Sequence, residues 1–91
     1  MKPLYVQIKC ELGQAYAVAE AIIDTLEETS EVYSTSGEYD LLAKFYLDEE
    51  SSIGGFVNHK LHKVAGIRET HTILAFRLYG RDQVRLDESG G

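Results

Sequence analysis

The sequence alternates between two hydrophobic periods, and the order of those periods restricts the fold more than any other feature. Across residues 4–10, apolar side chains occupy every second position, which is typical of a strand with one buried face. After Gly13 the apolar spacing lengthens to three or four residues, which predicts an amphipathic helix. The apolar stripe of this helix consists of Ala15, Val18, Ala19, Ile22, Ile23 and Leu26.

The rest of the chain repeats this arrangement with one extra strand. Residues 31–36 predict a short polar strand, and a turn at Gly37 leads into a clearly alternating strand over residues 39–47, so the two form a hairpin. A second amphipathic helix is predicted over residues 53–64 and is stopped by Gly66. Residues 67–79 then predict a long final strand.

The predicted element order, βαββαβ, is that of ferredoxin-like folds. It predicts an α+β domain in which an antiparallel four-stranded sheet carries both helices on one face. The helix-free face would then be a mixed surface that is too apolar to prefer open water. Its expected residues are Tyr5, Gln7, Lys9, Leu42, Lys44 and Tyr46. We expect two copies to pair through it as a homodimer, because a chain of 91 residues buries only a modest core.

Composition narrows the choice of partner and compartment. The formal net charge is −6, and no basic patch is present, so we expect no direct binding of nucleic acid. Cys10 is the single cysteine, which excludes an intrachain disulfide and a multi-cysteine metal site. No apolar run approaches the roughly 20 residues that span a bilayer, and no signal-peptide pattern is present, so we expect a cytoplasmic location without membrane contact.

Two short strings, residues 37–40 and 66–72, carry the candidate binding chemistry. A glycine turn at Gly37 can offer backbone N–H groups to a carboxylate, and Asp40 can accept a hydrogen bond from an ammonium group. Thr70 and Thr72 are two residues apart, so their hydroxyls lie on one strand face, and Tyr39 can pack over an apolar side chain. These five residues form the predicted ligand site. The same residues also suit a structural hairpin turn beside threonines that pair across strands.

Catalytic and metal-binding patterns are weak by comparison. His59 and His62 lie three residues apart on the second predicted helix, but two histidines without an H-E-x-x-H pattern make only half of a metal site. His71 lies between the two threonines and so points to the opposite face of the sheet. The sequence has no nucleophile elbow and no phosphate-binding glycine loop. We therefore predict no catalytic residue, no metal and no cofactor.

Three strings together resemble a known family: GEYDLLAK (residues 37–44), FVNHKL (56–61) and GIRETHTILAF (66–76). Their order and spacing are similar to those of the ligand-binding domain of the Lrp/AsnC regulators, also called the RAM domain, over residues 3–79. The resemblance implies a dimeric α/β barrel that often assembles further into a ring of dimers. It also implies an amino acid or related effector at subunit interfaces, with the five candidate residues at the effector pocket. The implied role is regulation of transcription or amino-acid metabolism through effector-linked assembly.

The sequence also departs from that family. Full-length members carry an amino-terminal helix-turn-helix domain, whereas this sequence begins at the first strand of the effector domain. We therefore expect an effector-binding domain over residues 1–79 and a polar tail over residues 80–91, flexible or docked on a neighbour, with a full-length family regulator as one candidate partner.

Two alternatives remain open. One is a small dimeric α/β-barrel enzyme similar to the monooxygenases, which His59, His62 or His71 lining a deep internal cavity would favour. The other is an amino-acid-binding domain of the ACT type, which shares the element order but not this motif spacing.

Overall fold

Four strands and two helices follow one another in the order that the hydrophobic periods predict, which confirms the ferredoxin-like βαββαβ class. The computed structural model describes residues 1–81. The elements are β1 (Lys2–Cys10), α1 (Ala15–Thr25), β2 (Thr29–Ser34), β3 (Leu41–Leu47), α2 (Ile53–His59), a 3-10 turn (Leu61–Lys63) and β4 (Ile67–Leu74).

The strands form one antiparallel sheet in the order β2-β3-β1-β4, so β1 lies between β3 and β4 and the outer edges belong to β2 and β4. The buried side chains of the two central strands alternate as the period-two pattern predicts. They are Leu4, Val6, Ile8 and Cys10 on β1, and Leu41, Ala43, Phe45 and Leu47 on β3.

Both helices cover the face of the sheet to which these buried residues point. Helix α1 contributes the fully buried Val18 and Ile22 of its predicted apolar stripe, whereas Ile23 of the same stripe is 51% exposed. From the other helix, Phe56 meets Phe45 edge to face, with the ring centroids 4.8 Å apart. Aromatic pairs favour this geometry, and the contact fixes α2 over β3.

The second helix ends earlier than the sequence predicts, so the expected extent of residues 53–64 is wrong. Helix α2 stops at His59, because Lys60 adopts a φ of −116°, far from the regular helical value. The chain then tightens into the 3-10 turn, which places Leu61 in the core with no exposed surface. The early end of α2 allows the 3-10 turn to bury Leu61, and helical periodicity alone does not reveal this change of helix type.

The final strand is also shorter than the predicted residues 67–79. Strand β4 ends at Leu74, which pairs with Leu4 of β1. The next residue of β1 is Pro3, which has no backbone N–H to donate, and so the ladder stops there. Residues 75–80 continue without assigned secondary structure. Most of the polar tail predicted over residues 80–91 lies outside the described residues, and its boundary with the domain stays a prediction.

Candidate functional site

The loop between β2 and β3 is a closed turn that carries three of the five predicted site residues. Gly37 has a φ of +104°, and a Cβ added there would meet no atom within 4 Å. Across the turn, the Thr35 N–H donates to the Asp40 carbonyl at 3.0 Å, and the Thr35 hydroxyl donates to the Tyr39 carbonyl at 2.9 Å. The glycine thus lies at an exposed tip whose base is fixed by hydrogen bonds.

Asp40 anchors this turn to the central strand. Its backbone N–H donates to the Ile8 carbonyl at 2.9 Å, and its carboxylate oxygen Oδ2 accepts the Cys10 N–H at 2.7 Å. Burial, and after it the negative charge of Asp40, raises the pKa of the Cys10 thiol. Because Oδ2 of Asp40 accepts the Cys10 N–H, one of the two carboxylate oxygens predicted to bind a ligand ammonium group already has a partner within the chain.

Thr70 and Thr72 lie on the helix-covered side of the sheet, because they pair with Ile8 and Val6, whose side chains are buried under the helices. The two hydroxyls share one face, as their spacing predicts. Thr70 is half-buried, and its hydroxyl lies 2.8 Å from Nε2 of His62 in the 3-10 turn. Nothing in the sequence spacing pointed to His62 as a partner of Thr70.

An open pocket of about 490 Å³ surrounds this threonine–histidine contact. It is lined by His62, Ile67, Arg68, Glu69 and Thr70. A guanidinium and a hydroxyl can hold a carboxylate, while a carboxylate can hold an ammonium group. Arg68 and Thr70 therefore suit a carboxylate, whereas Glu69 pairs with Lys9 and directs its own carboxylate to the helix-free side of the sheet. Arg68 and Glu69 belong to the second sequence string, residues 66–72, but the prediction from sequence assigned only Thr70 and Thr72 of that string to the ligand site.

Tyr39 and His71 lie on the opposite, helix-free side of the sheet. His71 pairs with Gln7, and its ring stacks on that of Tyr39 with the centroids 6.2 Å apart and the planes 30° from parallel. This contact brings the glycine turn next to β4. Within one chain, however, Tyr39 and the two threonines face opposite sides of the sheet, and their assignment to one ligand site stays a prediction.

The histidines do not form the arrangement that would favour an enzyme. His59, His62 and His71 are all exposed, and no polar or charged residue of the described chain is buried. Residues 1–81 contain no group of three or more histidine, cysteine or acidic side chains placed to hold a metal ion. Within the same residues, no helix is long and apolar enough to cross a bilayer.

Comparison with known proteins places these features in a family context. Residues 4–84 match the sequence profile of the Lrp/AsnC ligand binding domain. The HTH-type transcriptional regulator FL11 of Pyrococcus abyssi is 27% identical over 75 residues, which are 82% of this chain and 48% of that protein. The chain thus spans about half the length of the curated relatives it matches.

Solved structures show the same fold. The protein TTHA0845 from Thermus thermophilus is 34% identical with a TM-score of 0.78, and the match covers 89% of this chain and all of that one. The transcriptional regulator NMB0573 of Neisseria meningitidis, in complex with L-Met, is 14% identical with a TM-score of 0.71. That match covers 84% of this chain and 50% of the regulator, and at this identity it shows the fold alone.

Proposed function

We propose that this chain, which belongs to the Lrp/AsnC ligand-binding domain family, is a non-catalytic module that binds an amino acid or a related small effector. We further propose that effector binding is coupled to assembly of the chain, and so to regulation of transcription or of amino-acid metabolism. The observation that carries the proposal is the open pocket in which Arg68, Glu69 and Thr70 lie together beside His62.

The chemistry of this pocket suits the carboxylate that every amino acid carries. The Arg68 guanidinium and the Thr70 hydroxyl would hold that carboxylate, whereas Glu69 pairs with Lys9 on the helix-free side, so Asp40 of a second copy would accept from the ammonium group. The predicted residues Gly37, Tyr39 and Asp40 lie on the turn, and Tyr39 faces the other side of the sheet. We propose that a second copy supplies this turn to the site, so that the effector lies between subunits. The L-Met complex of the structurally similar NMB0573 supports an amino acid as the ligand class.

The proposed assembly uses the helix-free face of the sheet. Tyr33, Tyr46 and Ile73 on this face are 51%, 36% and 37% exposed, so the face presents large apolar side chains to solvent. The Lys44 ammonium lies 5.0 Å from the ring centroid of Tyr46, and it can stay paired with the ring when the face is covered. We propose that two copies pack through this face as an α/β barrel and that dimers assemble into a ring.

The proposed partners follow from the same family. A full-length regulator that carries the same domain could pair with this chain through the same face, so the chain would influence DNA binding without contacting DNA itself. The net charge of −6 opposes direct contact with nucleic acid. We place the module in the cytoplasm, where the DNA controlled by bacterial and archaeal transcriptional regulators lies.

Calorimetric titration of the complete chain with each common amino acid tests the binding proposal. We expect at least one to give saturable heat and to raise the melting temperature, because a ligand that binds only the folded state stabilises it. Thr70→Val should weaken that binding about tenfold or more, the usual effect of losing a hydrogen bond to a charged group.

The matched control for that titration is Thr25→Val on α1, where the hydroxyl donates only to the Ala21 carbonyl at 2.6 Å. This variant should bind as the unaltered chain does. Absence of heat and of a thermal shift with every amino acid tested would overturn the binding proposal.

Sedimentation velocity tests the proposed dimer face separately. Tyr46→Glu places a charge within the face and should shift the chain towards monomer. Leu12→Glu is the control, because Leu12 is 98% exposed in the loop that follows β1. Equal dimerisation of the two variants would rule out this face as the interface.

A further inference from the structure

The pocket on the outer side of β4 concentrates positive charge that no acidic side chain in its lining offsets. Arg68 carries a positive charge and His62 can acquire one, and both line the pocket. Glu69 also belongs to the lining, but its pairing with Lys9 turns its carboxylate to the helix-free side of the sheet. One chain therefore presents cationic groups and a hydroxyl to a ligand in this pocket, without a carboxylate.

The Arg68 guanidinium is also free of ion pairs within residues 1–81. The ion pairs found there join the amino terminus to Glu49 and Lys60 to Glu28. Uncompensated positive charge stands out on a chain whose formal net charge is −6. A cleft lined by charge of one sign attracts ligands of the opposite sign, so the pocket favours an anion.

The contact between His62 and Thr70 determines which way the threonine hydroxyl donates. Nε2 of His62 lies 2.8 Å from Oγ1 of Thr70. A neutral imidazole nitrogen can accept the hydroxyl proton, whereas an imidazolium can only donate. Protonation of His62 therefore makes Oγ1 the acceptor of this hydrogen bond and leaves the hydroxyl proton available to a ligand carboxylate.

Both partners of this contact lie on well-fixed backbone. Thr70 is held in the β4 ladder opposite Ile8. His62 follows Leu61, which has no exposed surface, and the Val64 N–H closes the 3-10 turn by donating to the Leu61 carbonyl at 3.1 Å. The imidazole is therefore positioned by the fold before any ligand arrives.

We propose that the effector is a dicarboxylic amino acid and that His62 determines this specificity. One carboxylate would lie between the Arg68 guanidinium and the Thr70 hydroxyl. The second would lie against the imidazolium of His62 and the remaining N–H groups of Arg68, because a guanidinium has five donors and one carboxylate engages only two of them in a bidentate pair. The inference rests on the proposed function, since it names the ligand class for the same site.

No acid on the neighbouring segments competes with such a ligand for His62. Glu28 accepts from Lys60 at 2.5 Å and lines a different pocket beside α1. Glu11, whose backbone N–H donates to the Gly66 carbonyl, is absent from the pocket lining. The other charged or titratable side chains on the turn, on the end of α2 and in the pocket are His59, Lys60, Lys63 and Arg68. The stretch of α1 that borders the turn contributes the uncharged Ala21, Thr25 and Leu26.

This arrangement makes effector binding depend on pH. Imidazole side chains change charge between about pH 5 and 8, whereas the side-chain carboxylate of glutamate stays largely ionised above about pH 5. A dianionic carboxylate pair favours the imidazolium, so binding takes up a proton at His62. The affinity for a dicarboxylic amino acid should therefore rise as the pH falls from 8 towards 5.5.

Calorimetric titration of the complete chain with acids and their amides tests the ligand class. L-Glutamate and L-glutamine, like L-aspartate and L-asparagine, match closely in shape but differ in charge. At pH 6 we expect at least one acid to bind about tenfold or more tightly than its amide, the usual effect of a hydrogen bond to a charged group. Equal affinities, or tighter binding of both amides, would overturn this inference and leave the proposed function standing. Absence of binding by every common amino acid would overturn both.

The variant His62→Gln tests the residue assigned to this preference. Glutamine can still donate to Thr70 but stays neutral, so the variant should lose both the preference for the acid and the rise in affinity at low pH. The control is His59→Gln at the end of α2, which removes an equally titratable, exposed histidine outside the pocket and should keep both properties. Because His62 is exposed, the melting temperature of His62→Gln without effector should match that of the control. Identical pH profiles of affinity in the two variants would overturn the role of His62.

Discussion

Gly66, the residue just before β4, allows the sharpest test of how this fold is held together. Its φ of +95° lies in the left-handed region, and an added Cβ would come within 2.8 Å of Val18 Cγ2 and 3.3 Å of Gln14 Cβ. Val18 is fully buried, and the Gly66 carbonyl accepts the Glu11 N–H at 2.8 Å, so neither side can move away freely. Gly66→Ala should therefore combine backbone strain with overpacking.

The size of the effect follows from these two contributions. A left-handed conformation costs a residue with a side chain about 1–2 kcal/mol. Forcing a methyl group against a packed core adds about 1–3 kcal/mol. We expect Gly66→Ala to lower the free energy of unfolding by about 2–5 kcal/mol, a large part of the total stability of so small a domain.

Gly37→Ala is a matched control for the steric contribution. Gly37 has a similar φ of +104°, but its Cβ would meet nothing within 4 Å. This variant should therefore lose only the strain, about 1–2 kcal/mol. Urea unfolding of both variants at one protein concentration, with the m value unchanged, measures the difference. Equal losses in the two variants would refute the steric argument.

A double-mutant cycle identifies the atom responsible. Val18→Ala removes Cγ2, so the combination with Gly66→Ala should cost less than the sum of the two single losses. Additive losses would show that the methyl group meets some other obstacle, or that the helix has moved away.

Three further predictions concern charges and the core. Asp40→Asn should keep an oxygen acceptor for the Cys10 N–H but remove the negative charge that, second to burial, raises the pKa of the Cys10 thiol. Alkylation of Cys10 at pH 8 should therefore become faster, and an unchanged rate would contradict the charge effect. Partial burial acts to raise the pKa of Glu28, but the hydrogen bond at 2.5 Å from Lys60, a backbone hydrogen bond and the positive charge of Lys60 together outweigh burial and leave that pKa lowered. The pair therefore stabilises the fold above the ordinary glutamate pKa and loses this effect as pH falls through the folded value. Lys60→Met should lower the free energy of unfolding at neutral pH and flatten the acid side of a pH–stability curve, and an unchanged acid side would contradict the pairing. Phe45→Ala should lower the free energy of unfolding, measured with urea, by about 3–5 kcal/mol, because the Phe45 side chain has no exposed surface. A loss below about 1 kcal/mol would mean that the core collapses into the space left by the ring.

The parts of the fold that sequence predicted well are those decided by local periodicity. Strands β1 and β3 each place one apolar face on the core, so period two appears directly in the sequence. The apolar stripe of α1 likewise identifies the buried Val18 and Ile22. In each case the pattern and the burial have the same cause, which is contact with a single core on one side.

The parts that sequence missed depend on residues far apart in the chain. The end of β4 is determined by Pro3, which lies at the opposite terminus and removes a donor only once the two strands are neighbours. The Asp40 carboxylate meets the Cys10 N–H across 30 positions. The contact between His62 and Thr70 requires a 3-10 turn that helical periodicity does not indicate. None of these contacts leaves a local signature, so each became visible only in three dimensions.

The division of the predicted site between the two sides of the sheet bears on how such a module would respond to its ligand. Thr70 and Thr72 face the helix side and Tyr39 faces the other, so no single chain presents all three to one small molecule. If both groups contact the effector, they must come from different copies, and affinity then depends on how the copies are arranged. A ligand shifts an assembly equilibrium only by its difference in affinity for the two states. A site completed between chains supplies this difference in affinity directly, because a separated chain lacks half of the contacts with the ligand. Linkage then requires that assembly strengthens ligand binding by the same factor by which the ligand strengthens assembly.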